Sequence, residues 1–378
     1  MQRPPIQAPG DSCAKPYLKS SVPFSLKPRE TTEYVYNIVA TGHGIAATGS
    51  THRVNLYDAS RLERKRTVGY HNDTITSIKS IDENTLVTGS KDQSILVWDL
   101  RTNLNQASQQ FKATKPVLSF DASPGLNLLA AGTIWDVMES SLQFWDFRTS
   151  KALHAFVSSH SNDITSLQFS PQSPGQLLSS STDGLLCLFD ARQSDEDEAL
   201  ITSANINASI SRANYTGANY DRIFAMTDME TLSIWTHELD PIVDFGDMRI
   251  LDQPGFELDY MISGSYDANT DRFLVSMGSN GGNVYVLAVD ADSINPCWIM
   301  EGGHTEIVRD IILDVASGTA ITCGEDGLLS AWSSSPHNPV DDPAMSSRNH
   351  QTPEKKSRQQ PSGHGTAAGN THARFTPY

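Results

Sequence analysis

The chain has 378 residues, with 44 Asp/Glu against 28 Lys/Arg and a formal charge of −16. That balance argues against direct nucleic-acid binding, which needs clustered Lys/Arg to neutralise phosphates. It suits basic protein surfaces instead. The four cysteines (Cys13, Cys187, Cys297, Cys323) show no CxxC spacing, so neither a zinc site nor a disulfide framework is expected.

In chain order, the first 14 residues are rich in Pro and Gln and are expected to be disordered. No apolar run there suits a signal peptide, and no window elsewhere approaches a membrane span. The protein is therefore expected in a reducing compartment, the cytoplasm and/or the nucleus, without membrane contact. From about Tyr34 to Trp332 short alternating apolar stretches return at a period of about 40 residues, the mark of a repeat fold. The first repeat gives GIAATGSTHRVNLYD, Gly44 to Asp58. The second runs from His71 to Arg101, with LVTGS, a Lys91-Asp92-Gln93 turn and ILVWD. The third has NLLAAGT and then LQFWD ending at Asp146, and the fourth DITSLQFSP and LLSSSTDGLLCLFD ending at Asp190. RIFAMTDMETLSIW, RFLVSMGSNGGNVYVLAVD and GTAITCGEDGLLSAW carry the fifth, sixth and seventh.

These repeats resemble the WD-repeat (WD40) family. The resemblance implies an all-β fold, a seven-bladed β-propeller over residues 15–335 with disordered N- and C-terminal tails, residues 1–14 and 336–378. AAGT with a long insert and FWD, HSNDITSLQFSP, METLSIW and GEDGLLSAW together are similar to the WD repeat-containing protein 89 family and its fungal members. Physics supports closure, since an open row of blades leaves two apolar end faces and a ring leaves none. Lys15 to Leu26, with Tyr17, Leu18, Val22 and Phe24, is the candidate closing strand, and Pro16 and Pro23 confine it to an edge or irregular role.

His71, Thr88 or Ser90, Asp92 and Trp98 match the family's hydrogen-bonded structural set, as do His160 and Asp183, and His304, Asp326 and Trp332. Buried Trp and His N–H groups need partners, which the Asp and the hydroxyl supply. His160, Ser179 or Ser181, and Asp183 also have the composition of a hydrolase triad. Recurrence of the set by repeat position, with no oxyanion loop, makes it structural. No catalytic, metal or cofactor residue is assigned, and an interaction protein rather than an enzyme is expected.

Three repeats end in an Arg two residues beyond the Asp: Asp99-Leu100-Arg101, Asp146-Phe147-Arg148 and Asp190-Ala191-Arg192. The first two follow a Trp and resemble the WDxR motif of cullin-4 ubiquitin-ligase substrate receptors. In that resemblance the Arg side chains on the bottom rim reach the ligase adaptor; alternatively each pairs with a nearby carboxylate. Thr133 to Ser140 is an insertion where other repeats turn tightly. Its Trp135, Val137 and Met138 either fold against the neighbouring blade or form a partner surface. Repeats three (Phe111-Lys112-Ala113) and five lack the His-turn signature, and the long segment Asp240 to Tyr260 is expected to present an acidic lip. Beyond Trp332 the chain is polar, with a basic cluster (Lys355, Lys356, Arg358) that is a candidate for nuclear import. Arg374, Phe375 and Tyr378 form a candidate docking motif at its end. From Asp341 on the charge is +2, leaving 23 basic and 41 acidic residues, −18, in residues 1–340. A basic client such as a ribosomal protein or histone is the second expected partner class.

Overall fold

The computed structural model describes residues 13–14, 16–19, 33–102, 105–250, 256–290 and 293–333. The expected docking motif at Arg374, Phe375 and Tyr378, the basic cluster around Lys355 and the tail beyond Ser333 lie outside them.

Among the described residues the strands form seven sheets, antiparallel but for one added strand, the blades of a propeller. Blade two shows the common plan. Ile75–Ser80, Thr85–Ser90, Ser94–Asp99 and Gln109–Lys112 pair in sequence order, from the innermost strand outwards. Second strands explain the small and apolar composition of each repeat. In Gly44–Gly49, Thr85–Ser90, Leu128–Thr133 and Gln176–Ser181 every residue after the first is buried. A strand covered on both faces cannot alternate polar with apolar residues. Fourth strands face solvent on one side, and in Ala152–Phe156 only Phe156 is fully buried.

Seven apolar clusters occupy the spaces between blades. One joins Ala46, Val54 and Leu56 of blade one to Leu86 and Trp98 of blade two. Another joins Cys323, Leu329 and Ala331 of blade seven to Val35, Ile38 and Tyr57 of blade one. The second of these closes the ring. Closure also uses the N-terminal segment, because the last repeat supplies only Val308–Asp314, Thr319–Gly324 and Leu329–Ser333. Pro16–Lys19 pairs with Leu329–Ser333 as the fourth strand of blade seven, and Cys13–Ala14 adds in parallel to blade six. This strand lies within the expected Lys15–Leu26 segment, the rest of which is outside the described residues.

Hydrogen bonds between innermost strands stitch the ring on its inner side. Ile38 N donates to Asp310 at 3.0 Å, Thr76 Oγ1 to Val117 O, Ser119 Oγ to Ile164 O and Thr165 Oγ1 to Ile210 O at 2.8 Å each. Arg212 donates to Ser263 Oγ at 3.1 Å and Val308 N to Tyr260 OH at 2.8 Å. Between blades one and two, Arg66 donates to the carbonyls of Leu100 and Thr102.

Two of the expected segments take definite form. Within the segment Asp240 to Tyr260, Pro241–Asp247 is the fourth strand of blade five, followed by a short turn at Met248–Ile250. Asp247 is engaged by Arg249 and Asp259 accepts Asn280 N, while Asp240, Asp244 and Glu257 are exposed. The blade-three insertion is tied to blade four through Trp135 N, which donates to Asp163, while the side chains of Trp135, Val137 and Met138 are exposed.

Candidate functional site

Polar side chains in this fold serve two ends, holding blades and meeting partners, and their geometry separates the two. In blade two, His71 Nδ1 lies 3.0 Å from Asp92 Oδ2 and Nε2 lies 2.8 Å from Thr88 Oγ1. Trp98 Nε1 donates to the same hydroxyl at 2.9 Å. Thr88 therefore accepts from Trp98 and donates its proton to His71, whose neutral ring must carry hydrogen on Nδ1 to donate to Asp92. Burial holds His71 below the usual histidine range and so favours that neutral ring.

Blade seven repeats the relay with Trp332, Thr322, His304 and Asp326. Blade four has His160, Ser179 and Asp183, with Phe189 standing where the others have Trp. Burial pushes Asp92, Asp183 and Asp326 upward, but hydrogen bonds from the histidines, from backbone N–H groups and, for Asp92, from Ser94 outweigh it and hold all three low. Thr88 and Ser179 are the relay hydroxyls. Ser90 and Ser181, two residues on, accept the Asp92 and Asp183 backbone N–H and shape the turns. Ser179 is fully buried, so the His160–Ser179–Asp183 set has no access to a substrate.

Blade three lacks this histidine and substitutes an amide. Gln143 accepts Thr114 N at 3.1 Å and donates to Thr114 Oγ1 and Ser141 Oγ. Blade five pairs Trp235 with Ser233 Oγ at 2.8 Å and has no histidine relay.

The rim arginines are arranged differently. Arg101 donates Nε and Nη2 to the two carboxylate oxygens of Asp99, at 2.9 and 2.7 Å. Arg192 does the same to Asp190, at 2.7 and 2.9 Å. The Arg101 fork brings Asp99 down to about 2. Asp146 is taken up instead by Thr149 and by the backbone N–H of Arg148, so the Arg148 guanidinium acts on that carboxylate through its charge without a hydrogen bond among the described residues. All three follow the third strands of consecutive blades, so they share one rim. The side chains of Arg101 and Arg192 remain 68% and 61% exposed.

The channel is the third polar region. A cavity of about 260 Å³ there is lined by Asn37, Lys79, Arg212 and Asp310 among others. Lys79 donates to Asp121 at 2.9 Å and to Leu167 O two blades away at 3.1 Å, so its ammonium is spent on holding blades. Burial raises Asp310. Among the described residues no group of His, Cys, Asp and Glu is placed to hold a metal ion, and no helix is long and apolar enough to cross a membrane.

Comparison with known proteins agrees with this geometry. The family model "WD domain, G-beta repeat" matches residues 62–99 and 151–190. The chain is 29% identical over 313 residues to the WD repeat-containing protein 89 homolog of Dictyostelium discoideum, covering 81% of this chain and 84% of that one. It is 28% identical over 350 residues to the WD repeat-containing protein GTS1 of Arabidopsis thaliana, covering 86% and 87%. An uncharacterized WD repeat-containing protein of Saccharomyces cerevisiae is 29% identical over 322 residues, covering 80% and 78%.

Proposed function

The chain is a WD-repeat propeller, and on that premise we propose that it is a non-enzymatic interaction scaffold whose bottom rim docks the adaptor of a cullin-4 ubiquitin ligase. The observation that carries this reading is the row of exposed arginines on blades two, three and four. An exposed ion pair contributes little to stability, so the Arg101–Asp99 and Arg192–Asp190 forks are poorly explained as props of the fold. What they do accomplish is order. Each holds a planar donor group in one orientation on a rigid turn, which lowers the entropy lost when a partner docks. Arg148, between them, offers an exposed guanidinium whose hydrogen-bond donors are not taken up among the described residues.

A second reading has its own support. Residues 1–340 carry −18, which suits a chaperone or assembly factor for a basic client such as a ribosomal protein or a histone. Either role places the protein in the cytoplasm or nucleus. The free thiols of Cys187, Cys297 and Cys323 fit a reducing compartment.

One experiment separates the two. Wild type and the Arg101→Ala/Arg148→Ala variant are purified with their partners from native cells, and each complex is washed at rising salt. Under the receptor reading the ligase adaptor accompanies wild type and is lost with the variant, while both melt alike. Under the assembly reading a basic client is present with both and is released by salt. An adaptor absent from both purifications sinks the first, and a client indifferent to salt sinks the second.

A further inference from the structure

Blade three departs from its neighbours at the turn between its second and third strands. Asp136 and Glu139 exchange backbone hydrogen bonds of 2.9 and 3.3 Å, so Val137 and Met138 alone make a two-residue hairpin turn. Both adopt left-handed backbone, with φ of 51° and 68°. This is the pair of positive φ angles that a type I′ turn needs and that Asn-Gly ordinarily supplies. For a β-branched valine the conformation is sterically unfavourable. The turn cannot relax by fraying, because Lys115 Nζ donates to the carbonyls of Asp136 and Glu139 at 2.7 Å each, and Asp163 accepts Trp135 N at 2.6 Å. The result is a rigid knob whose Val137 and Met138 are 83% and 84% exposed.

A recess of about 480 Å³ begins at the foot of this knob and runs along the outer strand of blade three. Leu153 and Val157 on its walls are exposed, Lys112 lines one side, and His154 Nε2 is buried without a partner among the described residues. Trp135, Val137, Met138, Leu153 and Val157 are five of the thirteen large hydrophobic residues exposed among the described residues. Singly placed apolar residues are ordinary on a surface; this concentration marks a contact.

We propose that the chain forms a two-fold dimer in which the Val137–Met138 knob of each copy enters the blade-three recess of the other. A two-fold interface requires one patch to hold both halves of the contact, and here knob and recess are contiguous, Glu139 belonging to each. The charges agree. Glu139 is taken up by Lys115 of its own copy, which leaves Asp136 at the knob's stem to meet Lys112 on the recess wall of the mate. The rim arginines follow third strands and the knob precedes one, so the two surfaces lie at opposite ends of blade three and the dimer leaves the rim open.

Sedimentation velocity of the full chain across the micromolar range tests this, with Val137→Asn/Met138→Gly as the informative variant. Asn-Gly is the pair that the turn favours, so the variant melts above wild type, and weaker association cannot be blamed on unfolding. Loss of the two buried side chains weakens self-association by about a hundredfold. Leu153→Asp, which leaves the knob untouched, weakens it as well. A wild-type chain that stays monomeric throughout overturns the proposal, whether a different protein or the chain's own C-terminal segment covers the patch. A dimer of unchanged affinity in both variants also overturns it.

Discussion

At the scale of single residues, the Trp–Thr–His–Asp relay is a chain of buried groups that satisfy one another, and its cost structure follows from that. Thr88→Val keeps the shape but leaves both Trp98 N–H and His71 Nε2 without a partner, which costs about 2–4 kcal/mol. Thr88→Ser keeps the hydroxyl and restores most of it. Urea titration of the three proteins measures this, and a valine variant as stable as wild type means that water replaces the hydroxyl. The same relay sets the acid limit. His71 is held below its unfolded value by burial, so the unfolded chain binds the extra proton and stability falls as pH drops from about 6.5. Asp92, Asp183 and Asp326 are also held low, so their contribution is full above the unfolded carboxylate range and is lost as pH falls through it. Two successive declines in the urea midpoint are expected on acidification, and a midpoint flat down to about pH 5 contradicts the histidine step. His71, Asp92 and Trp98 were legible in the sequence, whereas the choice between Thr88 and Ser90 was not. Residues two apart on a strand point to the same face, and only the turn geometry assigns one to the relay and the other to the backbone of Asp92.

At the scale of elements, a glycine one or two residues before the relay histidine acquires a physical reason. A Cβ on Gly69 would lie 2.1 Å from the Trp98 ring, and one on Gly303 2.2 Å from the Trp332 ring. The outer strand of blade one thus passes directly over Trp98, and the loop before His304 over Trp332, each with room only for hydrogen. Blade four has Phe189 instead of Trp, and Ser158 and Ser159 precede its histidine. Gly69→Ala displaces the Trp98 ring and is expected to cost about 1–3 kcal/mol. Gly125→Ala, where a Cβ meets nothing within 4 Å, is the control and should melt close to wild type. Equal melting temperatures for the two variants refute the close approach. Elements buried on both faces were legible because their apolar runs are continuous. The strand Pro241–Asp247 went unseen within the long segment Asp240 to Tyr260 because a fourth strand is mostly exposed, begins here at a proline and alternates too weakly to stand out. The rigid turn at Val137 and Met138 was likewise hidden, since nothing in their side chains favours positive φ.

At the scale of the whole molecule, the sequence repeat and the blade are out of step, and that offset governs closure. The matched segment 62–99 starts before the outer strand of blade one, Arg64–Tyr70, and ends with the third strand of blade two. Each repeat therefore hands its first strand to the preceding blade, and the last blade must borrow one from elsewhere. Pro16–Lys19 fills that place, opposite Ser330, Ala331 and Trp332. Removing residues 1–19 leaves Leu329–Ser333 as an open edge with unpaired backbone groups, next to the cluster that joins blades seven and one. Two consequences are expected. The truncated chain melts several degrees lower, since about 1 kcal/mol shifts a chain of this size by a few degrees, and it aggregates through the new edge. A synthetic peptide of residues 13–19 added in trans should restore part of the loss. If truncation leaves both the melting temperature and the aggregation onset unchanged, the ring is held by the blade seven to blade one apolar cluster alone. The borrowed strand would then be a cover over the edge rather than the clasp of the ring.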